Sequence, residues 1–380
     1  MEIVTAYFEQ LIFSSIDALF VIALGSVWVI SAIYFFYYFG AVRSNKPIET
    51  TQKMPAASVV ICARDAALHL EKHLEDWLNQ DYPEFEVVVV DDCSADETAY
   101  LLVTESKNHP RLKYVLMDPA VIKNGGKKLA LTLGIKKAQY EHLVLTDADC
   151  IPRSDQWLKH MMSGFSDGKS IVLGVAPLES KGILGGLVHY ENMLTALSYL
   201  GMAIRKQPYM GVGRSLAYTK SIYNSVGGFS SHHHIPAGDD DLFVQSVATR
   251  SNTSVVINPE AYIDSKGPKN FQAYWRQRMR HLWVGKFYKS GISFKLSILP
   301  LLNLLFWIGT FIYFGFCSSW LYPTGLIILK FLPEWILFFQ KSKLLSMPLA
   351  SPLYPFWNLF HTFWYIFVGI RAFFKKKIIW

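Results

Sequence analysis

The chain has 380 residues, 51% of them hydrophobic and 15% aromatic, and a formal net charge of +7. Its mean hydropathy of +0.21 is high for a soluble enzyme, and its length allows two domains or one domain with membrane segments. The positive charge accompanies no nucleic-acid-binding module pattern, and Cys62, Cys93, Cys150 and Cys317 show no paired spacing, which argues against a disulfide framework or a zinc site.

No residue from Leu19 to Val42 is charged, a run longer than the ~20 residues that span a bilayer. It lacks the short apolar core and small-residue cleavage site of a secretory signal, so a permanent anchor is predicted over residues 1–45. Glu2 and Glu9 precede it without a base, and Arg43, Lys46 and Lys53 follow it. The positive-inside rule then puts the N-terminus outside and the following domain in the cytoplasm.

Residues 54–290 have soluble composition. Ser58–Cys62 reads as a strand, Leu68–Leu78 as a helix with Leu70, Leu74, Trp77 and Leu78 on one face, and Phe85–Val90 as a second strand. Asp91-Asp92 ends that strand. A helix starts at Thr98, a strand covers Leu112–Met117, a helix covers Lys128–Ala138, and His142–Thr146 is a buried strand ending in Asp147-Ala148-Asp149. Such alternation predicts an α/β fold with a mostly parallel sheet covered on both faces. Leu184–Ile204 fits either a core helix or one lying along the membrane surface. Gly238-Asp239-Asp240-Asp241-Leu242 leads into a helix over Leu242–Ala248.

Charge is absent again from Leu296 to Leu329, Phe331–Phe339 continues apolar around Glu334, and Leu349–Ile370 is apolar and aromatic. Residues 296–374 are therefore expected to form transmembrane or interfacial helices. Two crossings there satisfy the charge rule for Lys375-Lys376-Lys377 and three do not; the sequence leaves both open.

The chemistry lies at the strand ends. Asp147 and Asp149 are two residues apart and point the same way in an extended chain. Their repulsion is relieved by a hard cation such as Mg²⁺ or Mn²⁺, which also bridges carboxylates to phosphates. Ligands of open α/β sheets bind at these strand ends. Asp91 and Asp92 end a neighbouring strand and suit a base imide and ribose hydroxyls, although Asp91 also suits a helix cap. Asn124-Gly125-Gly126-Lys127-Lys128 offers cations at a helix start suited to phosphate, with a glycine turn and solvated lysines as the lesser alternative; its spacing is not that of a Walker loop. Gln277 and Arg280 share a helix face at i,i+3, where an arginine fork suits a diphosphate and a basic helix also suits lipid headgroups. His232-His233-His234 reads as a polar loop, since consecutive residues do not easily direct three rings to one ion.

Cys62-Ala63-Arg64-Asp65, Asp91-Asp92-x-Ser94, Gly125-Gly126-Lys127, Asp147-Ala148-Asp149, Gly227-Gly228-Phe229, Gly238-Asp239-Asp240-Asp241-Leu242 and Gln277-x-x-Arg280-His281, in this order, resemble membrane-anchored family 2 glycosyltransferases over about residues 55–290. The resemblance implies a GT-A fold and inverting transfer from a nucleotide-activated sugar, usually UDP-linked, with Mg²⁺ or Mn²⁺. It implies donor contacts at Arg64, Asp65, Asp91, Asp92, Lys127, Asp147, Gln277 and Arg280, and a metal on Asp149. Alignment on Leu242 makes Asp239 the base, with Asp240 its rival. On the helix expected there Asp239 and Leu242 share a face, and Asp241 turns away to cap it. Three positions depart from the family: Asp65-Ala66 replaces an Asn-Glu pair, Gly238 replaces an acid, and His281 replaces a tryptophan associated with processive synthases.

The expected protein is an integral membrane enzyme of a bacterial cell inner membrane, with its catalytic domain cytoplasmic. It moves a sugar to a lipid-linked or envelope glycan acceptor. The alternatives are a processive polysaccharide synthase and a non-catalytic nucleotide-binding membrane protein.

Overall fold

A computed structural model of the chain describes residues 2–44, 54–118, 120 and 126–376. Lys46, Lys53, Asn124, Gly125 and Lys377 lie outside the described residues.

Helix α1 (Glu2–Phe39) precedes the alternating series β1 (Ala57–Ala63), α2 (Ala67–Leu78), β2 (Phe85–Asp91), α3 (Thr98–Asn108), β3 (Leu112–Leu116), α4 (Lys127–Lys137) and β4 (His142–Asp147). The series follows the sequence pattern, and the four apolar residues predicted for the inner face of α2 are its buried residues. The period of two along the strands sorts their side chains. Val60, Val88 and Leu145 pack with Leu131 and Ile135 of α4 on one face, while Val59, Ile61, Val87 and Val89 pack with Leu70 and Trp77 of α2 on the other. A Cβ on Gly134 would sit 2.7 Å from Val60 Cγ1 and 2.9 Å from Val90 Cγ2, so the glycine lets α4 lie close against β1 and β2.

The second half is β5 (Cys150–Pro152), α5 (Trp157–Ser163), β6 (Ile171–Leu173), β7 (Leu178–Glu179), α6 (Gly182–Ile204), β8 (Leu216–Thr219), α7 (Lys220–Ser225), α8 (Asp241–Val247), β9 (Thr253–Val255), β10 (Ile263–Lys266) and α9 (Phe271–Val284). The main sheet has the order β3-β2-β1-β4-β8-β6-β9, and a small sheet has the order β5-β10-β7. β1 to β4 are parallel; β8 is antiparallel to β4 and β6. This is the α/β, mostly parallel fold expected. α6 is a core helix, buried along most of its length, and it also packs on α1, so the first of the two readings of Leu184–Ile204 describes it.

The C-terminal apolar block forms α10 (Ser290–Phe314), α11 (Leu321–Leu344) and α12 (Tyr354–Phe374). Among the described residues, Ser15–Phe39 of α1, α10 and α11 are long and apolar enough to cross a membrane, and α12 is not one of these. With α10 and α11 as crossings the chain returns to the side of α9. α12 ends there, its Lys375 carbonyl accepting hydrogen bonds from Trp283 Nε1 and Lys286 Nζ, both at 2.9 Å. Buried polar groups tie these helices: Lys330 pairs with Glu334 at 2.9 Å, Tyr354 donates to Glu334 at 2.9 Å, and Trp307 donates to Asn358 at 3.1 Å. Ionic pairs at such depth persist only when fully partnered.

Candidate active site

The parallel register places Cys62 opposite Asp147 and Ala63 opposite Asp91, so the acidic ends of β2 and β4 open on one crevice beside the end of β1. The chain leaves the main sheet at Asp147 and enters the small sheet at Cys150. Asp147-Ala148-Asp149 is thus the bridge between two sheets. Ala148 is buried, Asp147 half-buried and Asp149 exposed.

α4 starts beside this bridge. Lys127 Nζ lies 2.8 Å from Asp147 Oδ1 and 3.3 Å from Asp239 Oδ2. Burial works against the charge on Lys127, but Asp147, Asp239 and Asp240 outweigh it and hold the ammonium well above the usual lysine range. The lysine predicted to meet a donor therefore joins the strand-end acid to the candidate base.

The three consecutive acids have different partners. Asp240 Oδ2 accepts from Gly213 N at 2.9 Å, and its Oδ1 accepts from Asp241 N at 2.8 Å, which caps α8. Asp241 Oδ1 accepts from Leu242 N at 2.7 Å and its Oδ2 from the Tyr288 hydroxyl at 2.6 Å. Two corrections follow. α8 begins at Asp241, so Asp239 lies before the helix and shares no helical face with Leu242; and Asp240, not Asp241, is the cap. Backbone N–H groups hold Asp240 and Asp241 in place, whereas Asp239 meets the side chain of Lys127. Burial and the neighbouring Asp239 push the Asp240 carboxyl up. Burial and Asp240 push Asp241 up to about 7.

Gly238 has a φ of +88°, and a Cβ there would sit 2.5 Å from Leu242 Cδ1. An acid at this position, as the resemblance expects, would be strained at that positive φ and would have to push the Leu242 side chain aside. Gly213 also does more than turn the chain. A Cβ there would come within 3.3 Å of Lys127 Nζ, 3.4 Å of Asp240 Oδ2 and 3.5 Å of Asp239 Oδ2, so the glycine forms the floor of the acid pocket.

The other predicted residues separate. Asp92 Oδ1 accepts from Gly126 N at 3.1 Å, joining the β2 end to the start of α4; the mostly exposed Arg64 lies 4.0 Å from its Oδ2. Asp91 is turned to Ser94 N at 3.1 Å and caps no helix. Asp65, at a φ of +49°, donates its N–H to Ser94 Oγ and accepts from Ala95 N at 2.8 Å, so it knits the ends of β1 and β2 together. On α9, burial lowers the Arg280 guanidinium while Asp239, Asp240 and Asp147 oppose this, so Arg280 stands within the field of the acid pocket. Gln277 Oε1 is buried. Arg278 and Glu191 were missed as partners: Arg278 Nε lies 2.7 Å from Glu191 Oε2, and His361 lies 3.5 Å from the other oxygen, which fastens α9 to α6 and α12. Glu191 stood out as an acid in an apolar helix, but nothing local pointed to its partner 87 residues away, nor to Tyr288 on Asp241.

Asp147, Asp149 and Cys150 have ligand atoms within 4.8 Å of one another. Two carboxylates, one exposed, suit a hard divalent cation. Burial pushes the Cys150 thiol up, and its soft sulfur suits a hard cation less well than the two carboxylates do. Lys127 shares Asp147 with any such ion.

The family description Glycosyl transferase family group 2 matches residues 156–372, and Glycosyl transferase family 2 matches residues 58–225. The chain belongs to the family 2 glycosyltransferases. Within this family it is similar to the poly-beta-1,6-N-acetyl-D-glucosamine synthase of Staphylococcus epidermidis, 24% identical over 272 residues, which are 67% of this chain and 60% of that protein. The Staphylococcus aureus protein of the same name is 22% identical over 263 residues, with the same coverage. The chain thus spans about 60% of the length of these curated relatives. A Pyrobaculum calidifontis mannosyltransferase, solved with GDP-Man and Mn²⁺, has a similar fold: TM-score 0.58, 19% identity, 90% of this chain and 99% of that one. The family 2 glycosyltransferase fold expected from the motifs is therefore present, with three apolar helices suited to a membrane.

Proposed function

We propose that this family 2 glycosyltransferase transfers a sugar, with inversion, from a UDP-linked donor to a lipid-linked or envelope glycan acceptor. Asp239 takes the proton of the attacking acceptor hydroxyl, and such a base must reach that hydroxyl. The observation that carries the reading is the contrast between Asp239, held by the Lys127 side chain, and Asp240 and Asp241, held by backbone N–H groups. When donor diphosphate draws Lys127 away, Asp239 is the acid released. Asp92, Asp147, Gln277 and Arg280 face the donor, with Arg280 offsetting charge on the departing diphosphate. Asp91, Asp65 and Arg64 shape the loops at that end.

Asp149, with Asp147, would hold Mg²⁺ or Mn²⁺; the ion supplies positive charge against the diphosphate. The names of the curated relatives make UDP-N-acetylglucosamine the first donor to test. The reading divides the chain into an anchor (1–45), a cytoplasmic catalytic domain (54–290) and C-terminal helices (296–374) in a bacterial inner membrane.

Processive synthesis is the second reading, favoured by the same names; His281 counts against it. Purified full-length protein in lipid, given labelled UDP- and GDP-sugars with Mg²⁺ or Mn²⁺, tests the proposal. Turnover of a UDP-sugar is expected. Products one sugar longer than the acceptor support single transfer, and long products support the synthase. Donor binding without turnover would overturn both.

A further inference from the structure

We infer that Lys128 is a positioning residue, a latch that sets the loop carrying Asp239 against the start of α4. Its Nζ donates to His232 Nδ1 at 2.8 Å, to the His232 carbonyl at 2.7 Å and to the Ile235 carbonyl at 3.0 Å. A lysine ammonium has three donors, and here all three go to one turn. None remains for a phosphate, so the two successive lysines divide their work. Lys127 reaches across the crevice to Asp147 and Asp239. Lys128 holds the stem of the loop that delivers Asp239.

That stem is short. Only Pro236, Ala237 and Gly238 separate Ile235 from Asp239. Ile235 is itself seated among Leu242, Met279 and Trp283 of α8 and α9, and His232 is buried. α4 is in turn fixed by the close approach of Gly134 to β1 and β2. The path from sheet to base therefore runs from β1 and β2 through α4 and Lys128 to the 232–235 turn, and on to Asp239. His232, the first residue of the histidine run, serves here as an acceptor, while His233 and His234 are exposed.

A group acting through position alone has a separable signature. A misplacement of about 1 Å can cost about 10²-fold in rate, and the loss falls on kcat while donor binding is spared. The inference rests on Asp239 being the base. The test uses the full chain in membrane vesicles of the producing cells, with UDP-N-acetylglucosamine as donor and UDP release as readout. It compares Lys128→Ala, Lys128→Met and Asp239→Asn. Lys128→Ala is expected to lower kcat about 10- to 100-fold, to leave donor KM within about 3-fold, and to regain activity on addition of ethylammonium. Lys128→Met keeps the alkyl stem for packing and should show the same kcat loss without rescue, so a folding failure of the alanine variant does not decide the matter. Wild-type kcat in either folded variant, or a loss that falls equally on donor affinity, would overturn the latch. Wild-type turnover by Asp239→Asn would instead overturn the base assignment beneath it.

Discussion

Lys127 and Asp239 are in contact, Nζ to Oδ2 at 3.3 Å, and the same ammonium lies 2.8 Å from Asp147. One cation thus holds a strand-end acid and the candidate base from opposite walls of the crevice. Its charge is kept by those acids against the cost of burial. On the proposed function a donor diphosphate would compete for the same cation, which would link donor arrival to release of the base.

Asp149 is exposed and within 4.8 Å of Asp147. Asp149→Asn should lose divalent-dependent donor binding while the protein stays folded. Donor titrations with and without Mn²⁺ check this; full retention of metal dependence would contradict the assignment.

Topology is open to cysteine labelling from outside intact cells. In a Cys317→Ser background, a cysteine replacing Trp320, which is exposed between α10 and α11, should react. A cysteine replacing Ser170, beside β6, should not. The reverse pattern would invert the proposed orientation.

Asp241 makes stability depend on pH. Its folded pKa is raised to about 7 by burial and by Asp240, so the native state binds the proton more tightly than the unfolded chain. The stabilisation is full below the unfolded value of 3.8 and is lost as pH rises through about 7. Asp241 therefore contributes less to Tm at pH 7 than at pH 4, and Asp241→Asn, which keeps an acceptor for Tyr288, should remove this contribution from the slope of Tm against pH. An unchanged slope would show that Asp241 is not its source.

Much of this was legible in sequence because apolar periodicity is a local signal. The strand–helix series through β4 and the inner face of α2 follow from it directly. The small sheet was not legible: β5 and β7 have three and two residues, too few to show a period. Leu296–Leu329 read as one apolar stretch because the break between α10 and α11 includes Phe316 and Trp320 and carries no charge. At the site, the order of motifs placed Asp239 beside the crevice, but the start of α8 depended on Asp240 finding Gly213, 27 residues earlier. Lys127 and Lys128 were indistinguishable in sequence, since only tertiary packing sends them to different partners.

The choice among the three acids is decided by comparing Asp239→Asn with Asp240→Asn in donor binding and in single-turnover transfer. Removing a general base typically costs about 10²–10⁴-fold in rate. Asp239→Asn should bind UDP-sugar and metal as the wild type does and transfer almost nothing. Asp240→Asn, which loses part of a cap and of the hold on Gly213, should be less stable yet keep most of its activity per folded molecule. Transfer by Asp239→Asn at the wild-type rate, or a loss confined to Asp240→Asn, would contradict the assignment of the base.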